Sequence, residues 1–338
     1  MFKKIGISFI GIAVAGAMFA ACSSNENSAG PVEIPESSSD VAVAQSSSSE
    51  GLPDSSSSVI PPASSGQAIN ESEESSSSVV EILSSSSVIP NDPNILWSDE
   101  FEGTALDLSK WSYETGATGW GNNELQFYTD RTDNAYVADG VLHIAAKKEL
   151  MERAPYTSAR LITKGKFDFT YGTVEARIAL PVGKGIWPAF WMLGTNIDNA
   201  IWPLCGEIDI IEAVNDENVV YGTHHWSHEG QHAEYGNSTK EYYGTSYPMD
   251  IREFHNYKMT WDENAITMYV DDFLYQKIDI TLEKDAAGNN IASDMETFHK
   301  PFFFILNVAV GGTWPGFDID DAQFPNEMLV DYIRVYKN

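Results

Sequence analysis

Short alternating runs dominate the chain from Asn94 onward. Across 173–178 the apolar Val174, Ala176 and Ile178 alternate with Thr173, Glu175 and Arg177, the two-residue period of a strand with one buried face. Residues 330–336 repeat the pattern, with Asp331, Ile333 and Val335 opposite Val330, Tyr332, Arg334 and Tyr336; Asp331 reads as an outward strand acid. The runs 257–261 and 266–270 flank Asp262-Glu263-Asn264-Ala265 and predict a hairpin. Residues 302–310 are almost wholly apolar, as a strand buried on both faces is. Further strands are expected at 141–146, 165–169, 189–193, 207–213 and 219–224. No long stretch carries a 3.6-residue stripe, and 281–300 is the place for a loop or a short helix. Many short strands of this kind predict an all-β fold: a two-sheet antiparallel β-sandwich of the jelly-roll type, one concave face free as a substrate cleft.

Composition removes the first ninety or so residues from that fold. Lys3 and Lys4 precede an apolar run from Ile5 to Ala21, the pattern of a secretory signal and short for a membrane span. The run ends Phe19-Ala20-Ala21-Cys22-Ser23, which resembles a bacterial lipoprotein cleavage box with Phe19 where Leu is more usual. The expectation is a signal peptide over 1–21, lipidation of Cys22 and a membrane tether. Ordinary cleavage after Ala21, with a free Cys22 thiol, is the alternative. From Ser37 to Ser87 the chain has 22 serines, no aromatic residue and no Lys or Arg. Such a segment buries too little to offset its ordering entropy, so 22–92 reads as a flexible linker. Export and a lipid anchor would place the protein at the outer membrane or cell surface. The folded domain is then 93–338, expected as a monomer.

The net charge of −29 divides unevenly: 2 basic and 11 acidic groups in 1–92, 18 and 38 beyond. Neither part offers the basic stripe that phosphate binding needs, which excludes nucleic acid as a partner. Two cysteines cannot build a disulfide framework, and Cys205 reads as a small apolar side chain.

The densest chemistry lies in Gly206-Glu207-Ile208-Asp209-Ile210-Ile211-Glu212. Its β-branched spacers favour strand. On a regular strand Glu207 and Asp209 share a face, but Glu212 falls on the other. One bulge between Asp209 and Glu212 restores all three acids to one side. Glu207 and Glu212 are then about 13 Å apart at Cα, and leaning side chains bring the carboxyls to roughly 5–6 Å, the separation of a retaining glycosidase. A solvated acidic strand face is the bland alternative. Trp187 and Trp191, just upstream, suit the C–H faces of sugars, although Trp191 alone serves equally as core.

Together Glu207-Ile208-Asp209-Ile210-Ile211-Glu212 resembles the bulged E-x-D-x-x-E signature of glycoside hydrolase family 16. The resemblance extends through Trp97-Ser98-Asp99-Glu100-Phe101, the block 119–126, Ser158-Ala159-Arg160, the block 172–177 and Leu306-Asn307 to Gly316, in the style of bacterial endo-1,3-β-glucanases (laminarinases). It implies a concanavalin-like jelly roll, Glu207 as nucleophile, Asp209 assisting it, and Glu212 as acid/base, with no cofactor in catalysis and β-glucan as partner. It also implies that Asn122, Arg160, Trp187, Trp191, His225 and Trp314 line sugar subsites, and that Glu102 and Gly140 (backbone oxygens) and Asp331 (carboxylate) hold a structural Ca²⁺. Read on their own, Arg160 serves as well in a salt bridge, Asn122 in a turn, His225 as a structural residue and Asn307 as strand filler.

Three rivals follow. A mixed-linkage 1,3-1,4-β-glucanase is the nearest, though lichenases usually carry the unbulged E-x-D-x-E. Agar- and carrageenan-cleaving relatives share the bulge but act on chains for which a more basic cleft is expected. A non-catalytic sugar-binding sandwich needs the tryptophans but no matched acid pair. His228-Glu229-Gly230-Gln231-His232 matches the zinc-protease pattern H-E-x-x-H, but that pattern works only on a helix. Gly230 inside it, with no apolar helical stripe, predicts a loop.

Overall fold

A computed structural model describes residues 92–338. The expected signal peptide, Cys22 and the serine-rich linker lie outside the described residues. Seventeen strands follow in chain order: β1 (Ile95–Asp99), β2 (Ser112–Glu114), β3 (Gln126–Tyr128), β4 (Ala135–Ala138), β5 (Val141–Ala146), β6 (Tyr156–Ser158), β7 (Arg160–Ile162), β8 (Gly172–Ala179) and β9 (Ile186–Gly194), then β10 (Glu207–Glu212), β11 (Tyr221–His228), β12 (Gln231–Ser238), β13 (His255–Trp261), β14 (Ala265–Val270), β15 (Phe273–Asp279), β16 (Phe302–Val310) and β17 (Asn326–Tyr336). A short 3₁₀ turn spans Asp294–His299, inside the segment expected to be loop or short helix.

Two large antiparallel sheets account for nearly all of these. One runs β15-β14-β13-β8-β17-β5-β4, with β1 also paired to β17; the other runs β12-β11-β10-β9-β16-β7-β2. A small parallel pair, β3–β6, is the exception to the antiparallel rule. The core draws on both sheets: Ile178, Tyr257, Met268 and Val330 from the first meet Phe190, Ile208, Phe304 and Leu306 from the second. Buried tryptophans find partners for their N–H groups, as burial requires: Trp111 donates to Asp99 at 2.8 Å and Trp261 to the Phe298 carbonyl at 3.0 Å.

The alternation in the sequence accounts for most of this. Val174, Ala176 and Ile178 are buried in β8, β5 spans 141–146 as expected, and all nine residues of β16 are buried. Trp261 faces Ile266 in the expected β13–β14 hairpin. Three expectations need correction. Residues 165–169 form no strand: Lys166 and Phe167 both bond back to the Thr163 carbonyl around Gly165, which has φ +75, and only Phe169 bridges to Phe302. The strand expected at 219–224 starts at Tyr221 and runs to His228, and its partner β12 was not foreseen. Asp331 is not a solvated strand acid. At the register shift between Val330 and Tyr332 in the pairing with β8 it is fully buried, and it accepts at 2.6 Å from Nη1 of Arg177, a residue on the polar face of β8.

Candidate active site

The cleft face of the seven-stranded sheet is set by β9, β10 and β11. Along β9, Ile186, Phe190 and Met192 enter the core while Trp187 and Trp191 stay partly exposed on the other face. Glu207 and Asp209 lie opposite Leu193 and Trp191, then the register shifts so that Ile211 opposes Phe190 and Glu212 opposes Ala189. On the other edge the same shift falls between Asp209 and Glu212, which oppose Thr223 and Tyr221. This is the expected bulge: one extra residue at Ile210 returns Glu212 to the side of Glu207 and Asp209. The bulged Ile210 carbonyl is not orphaned, because the buried Tyr275 hydroxyl on β15 donates to it from the facing sheet. Gly206 permits the entry into the strand. Its φ is +79, and a Cβ there would lie 2.7 Å from Thr297 Oγ1 and 2.9 Å from Phe302.

Each of the two glutamates receives an indole N–H. Trp202 Nε1 donates to Glu207 Oε2 at 2.9 Å, and Trp187 Nε1 donates to Glu212 Oε1 at 3.0 Å. His225, opposite Glu207, brings Nε2 to 3.2 Å from Asp209 Oδ2 and 3.8 Å from Glu207 Oε1. The Asp209 contact is close but lacks hydrogen-bond geometry, so Oδ2 of this buried acid has no hydrogen-bond partner. Burial, with the Asp209 carboxylate beside it, pushes Glu207 up to about 8, against the pull of His225 and Trp202. Glu212 rises to about 8 for the same first two reasons, opposed by His225 and Trp187. Burial drives Asp209 well above the ordinary carboxylate range. Three acids sharing so little solvent cannot all be ionised together.

The other expected residues divide. Trp314 packs edge-on against Trp187 and Tyr221, with ring centres 5.5 and 5.2 Å away, extending the aromatic wall past Glu212. Trp191 serves both readings: it packs against the buried Ile162, Phe303 and Ile305, remains partly exposed, and its Nε1 donates to Asn307 Oδ1 at 2.7 Å. Asn307 is therefore more than filler, since its amide also donates to Tyr128 at 3.1 Å. Arg160 lies across the sheet from Asn307, with its guanidinium between the rings of Trp120 and Trp191 and its Nε on Glu114 at 2.6 Å. The salt-bridge reading of Arg160 thus holds, and the residue props the Trp191 platform. Asn122 is a turn residue: its N–H bonds Gly119, and its carbonyl accepts from Thr313 next to Trp314.

Trp202, Glu114, Tyr221 and Tyr128 were not anticipated. Trp202 belongs to a loop with no periodicity to read, and only its closeness in sequence to Glu207 hinted at it. His228-Glu229-Gly230-Gln231-His232 lies on a hairpin, not a helix or an open loop. Glu229 and Gly230 both take positive φ at its tip, His228 opposes Gln231 and His232 opposes Ser227. The two histidines point to opposite faces of the ribbon, which removes the zinc-protease reading. Cys205 is buried, as expected of a small apolar side chain, and burial raises its thiol to about 12.

Comparison with known proteins agrees with this geometry. The family model for glycosyl hydrolases family 16 matches residues 114–334. A β-glucanase from Rhodothermus marinus is 42% identical over 264 residues, covering 72% of this chain and 85% of that protein. Glucan endo-1,3-β-glucosidase A1 from Niallia circulans is 40% identical, covering 73% of this chain and 39% of that longer protein. Among solved structures, the laminarinase from Rhodothermus marinus superposes with a TM-score of 0.63 at 41% identity, covering 72% of this chain and 97% of that one. Bulged acidic strand, tryptophan-lined cleft face and matching relatives together place this chain in glycosyl hydrolase family 16.

Proposed function

We propose that the domain is a retaining, endo-acting β-1,3-glucanase on laminarin-type glucans, with Glu207 as nucleophile, Asp209 assisting it and Glu212 as acid/base. The observation that carries the reading is the bulge, which sets all three acids on the cleft face between Trp187, Trp191 and Trp202. The names of the related glucanases support the linkage. In the first step ionised Glu207 attacks the anomeric carbon while protonated Glu212 gives its proton to the departing glycosidic oxygen. In the second, Glu212 takes a proton from water, and that water's oxygen displaces Glu207 from the anomeric carbon with net retention. Burial raises Glu207 and Glu212 alike and each accepts one indole N–H, so the pair can hold one proton for the acid step while the other carboxylate is ionised; the order of the family signature assigns Glu207 as nucleophile and Glu212 as acid/base. This two-carboxylate chemistry needs no catalytic cofactor. Asn122, Arg160, Trp187, Trp191, His225 and Trp314 frame the subsites, Arg160 and Asn122 indirectly.

Incubation with laminarin, lichenan, agarose and carrageenan side by side tests the reading. New reducing ends from laminarin, first formed as the β-anomer, are expected. Binding without cleavage would favour a lectin, and preference for lichenan would favour a mixed-linkage enzyme. Glu207→Ala and Glu212→Ala should each lower kcat on laminarin by about 10³-fold or more; near-normal activity in either folded variant would reject the assignment. Glu212→Ala should lose less on an aryl glycoside, whose leaving group needs no proton.

A structural Ca²⁺ at Glu102, Gly140 and Asp331 is a separate part of the proposal. Strand register supports it: Asp99 on β1 opposes Ile333 and Leu142 on β5 opposes Val330, so Glu102 and Gly140 both flank the stretch of β17 holding Asp331. Their oxygens are the hard donors calcium prefers. Arg177 already holds one Asp331 oxygen, so the ion would share that carboxylate. Chelation should then lower Tm, and added Ca²⁺ should restore it. For the N-terminal segment the reading remains a secreted protein tethered through lipidated Cys22, supported by Lys3, Lys4 and the apolar run before it.

A further inference from the structure

We propose that His225, His232 and Glu234 form a site for a divalent transition-metal ion of the zinc class on the wall of the cleft. Three donor atoms converge there. His225 Nδ1 lies 2.9 Å from His232 Nε2 and 3.6 Å from Glu234 Oε2, and the last two are 3.9 Å apart. A tetrahedral ion with bonds of about 2.0–2.2 Å needs ligand atoms roughly 3.3–3.5 Å from one another. The observed triangle brackets that edge, so small side-chain adjustments accommodate an ion.

The donors sit on paired strands rather than loose loops. Glu234 is directly opposite His225 in the β11–β12 ladder, and His232 lies two residues from Glu234 on the same face. The His225 and His232 rings stack at 24° with centres 5.1 Å apart, and Trp202 covers His232 at 4.7 Å. Strand mounting fixes the backbone of each ligand before the ion arrives.

The far side of His225 supplies an independent observation. Its Nε2 faces Asp209 Oδ2 at 3.2 Å, and that oxygen is buried with no hydrogen-bond partner. An ion on Nδ1 confines the imidazole proton to Nε2, where it can turn toward Asp209. A carboxylate that orients a ligating imidazole in this way is the usual outer shell of a histidine metal site. Without an ion, one proton shared between His225 Nδ1 and His232 Nε2 accounts for their 2.9 Å contact; the ion would replace that proton. Three protein ligands leave a fourth position open to water. His228, the other histidine of the H-E-x-x-H stretch, takes no part, being paired with Asp294 at 2.6 Å.

Calorimetric titration of the EDTA-treated, dialysed full-length chain with ZnCl₂, in buffer containing CaCl₂ to occupy any calcium site, tests this. One-to-one binding is expected, with Mg²⁺ giving no heat. His232→Ala and Glu234→Gln should each weaken Zn²⁺ binding by about tenfold or more while the zinc-free protein still hydrolyses laminarin. Co²⁺ should give the visible absorption of a four-coordinate ion in the wild type and lose it in both variants. No Zn²⁺ binding up to about 1 mM, or equal affinity in wild type and both variants, would overturn the site. Loss of laminarin hydrolysis bears on the glucanase reading alone, because the binding measurement needs no substrate.

Discussion

The indole Nε1 of Trp202 donates a 2.9 Å hydrogen bond to Glu207 Oε2, although Trp202 lies in a loop and is 42% exposed. The bond favours the ionised carboxylate and opposes the rise that burial and Asp209 impose on Glu207. In Trp202→Phe the ring remains and the donor is lost. The acid limb of kcat/KM should move upward by about 0.5–1 pH unit, since a hydrogen bond to a charged group contributes about 1.5–3 kcal/mol and solvent recovers part of it here. The rate deficit should be largest at low pH and shrink as pH rises. An unmoved acid limb would separate Trp202 from Glu207 ionisation.

Stability should carry the mark of the same acids. Glu212 holds its proton up to about 8 in the fold, against an ordinary value near 4.5. The folded state therefore binds that proton more tightly than the unfolded chain. The stability this contributes is full below about 4.5 and is lost as pH climbs through about 8. Glu212→Gln has no such proton to lose. Its Tm, compared with wild type, should gain by roughly ten degrees as pH goes from 5 to 8, a change of about 3–4 kcal/mol at about 2–4 °C per kcal/mol in a domain of this size. Thermal melts at the two pH values decide it; a constant difference would contradict the coupling.

Tyr275→Phe probes the bulge from the opposite sheet. The Tyr275 hydroxyl is the donor to the bulged Ile210 carbonyl, and both residues are buried. Leaving that carbonyl unpaired should cost about 1–3 kcal/mol in denaturant melts. Because the bulge decides which face Glu212 occupies, kcat should fall as well, with KM changing less. Full activity alongside the stability loss would show that the bulge holds without its donor.

Asn307→Leu tests the Trp191 platform. Asn307 joins Trp191 Nε1 to Tyr128, and Arg160 stacks on the same indole. Removing the amide leaves a partly buried N–H unpaired and frees the ring to tilt. Affinity for laminari-oligosaccharides should fall about 5- to 30-fold with kcat less affected, matching a loss of roughly 1–2 kcal/mol. Calorimetry on the folded variant gives the answer, and unchanged affinity would remove Trp191 from the subsites.

Much of this protein is determined by the sequence alone. Val174, Ala176 and Ile178 define a half-buried strand, 302–310 a fully buried one, and both lie where the alternation predicted. Glu207, Asp209 and Glu212 needed one bulge to share a face, and the bulge is there. These features are legible because the side-chain period of two is a local property of backbone geometry. Tertiary structure decided the rest. No local pattern tells that Trp202 reaches Glu207, that Asp331 is buried against Arg177, or that Tyr275 closes the bulge from the facing sheet. Nor does one show that Arg160 spends its charge on Glu114, or that His225, His232 and Glu234 converge across a hairpin turn. Those relations depend on strand register and sheet stacking, which join residues remote along the chain, and the free energy that selects them belongs to the packed whole.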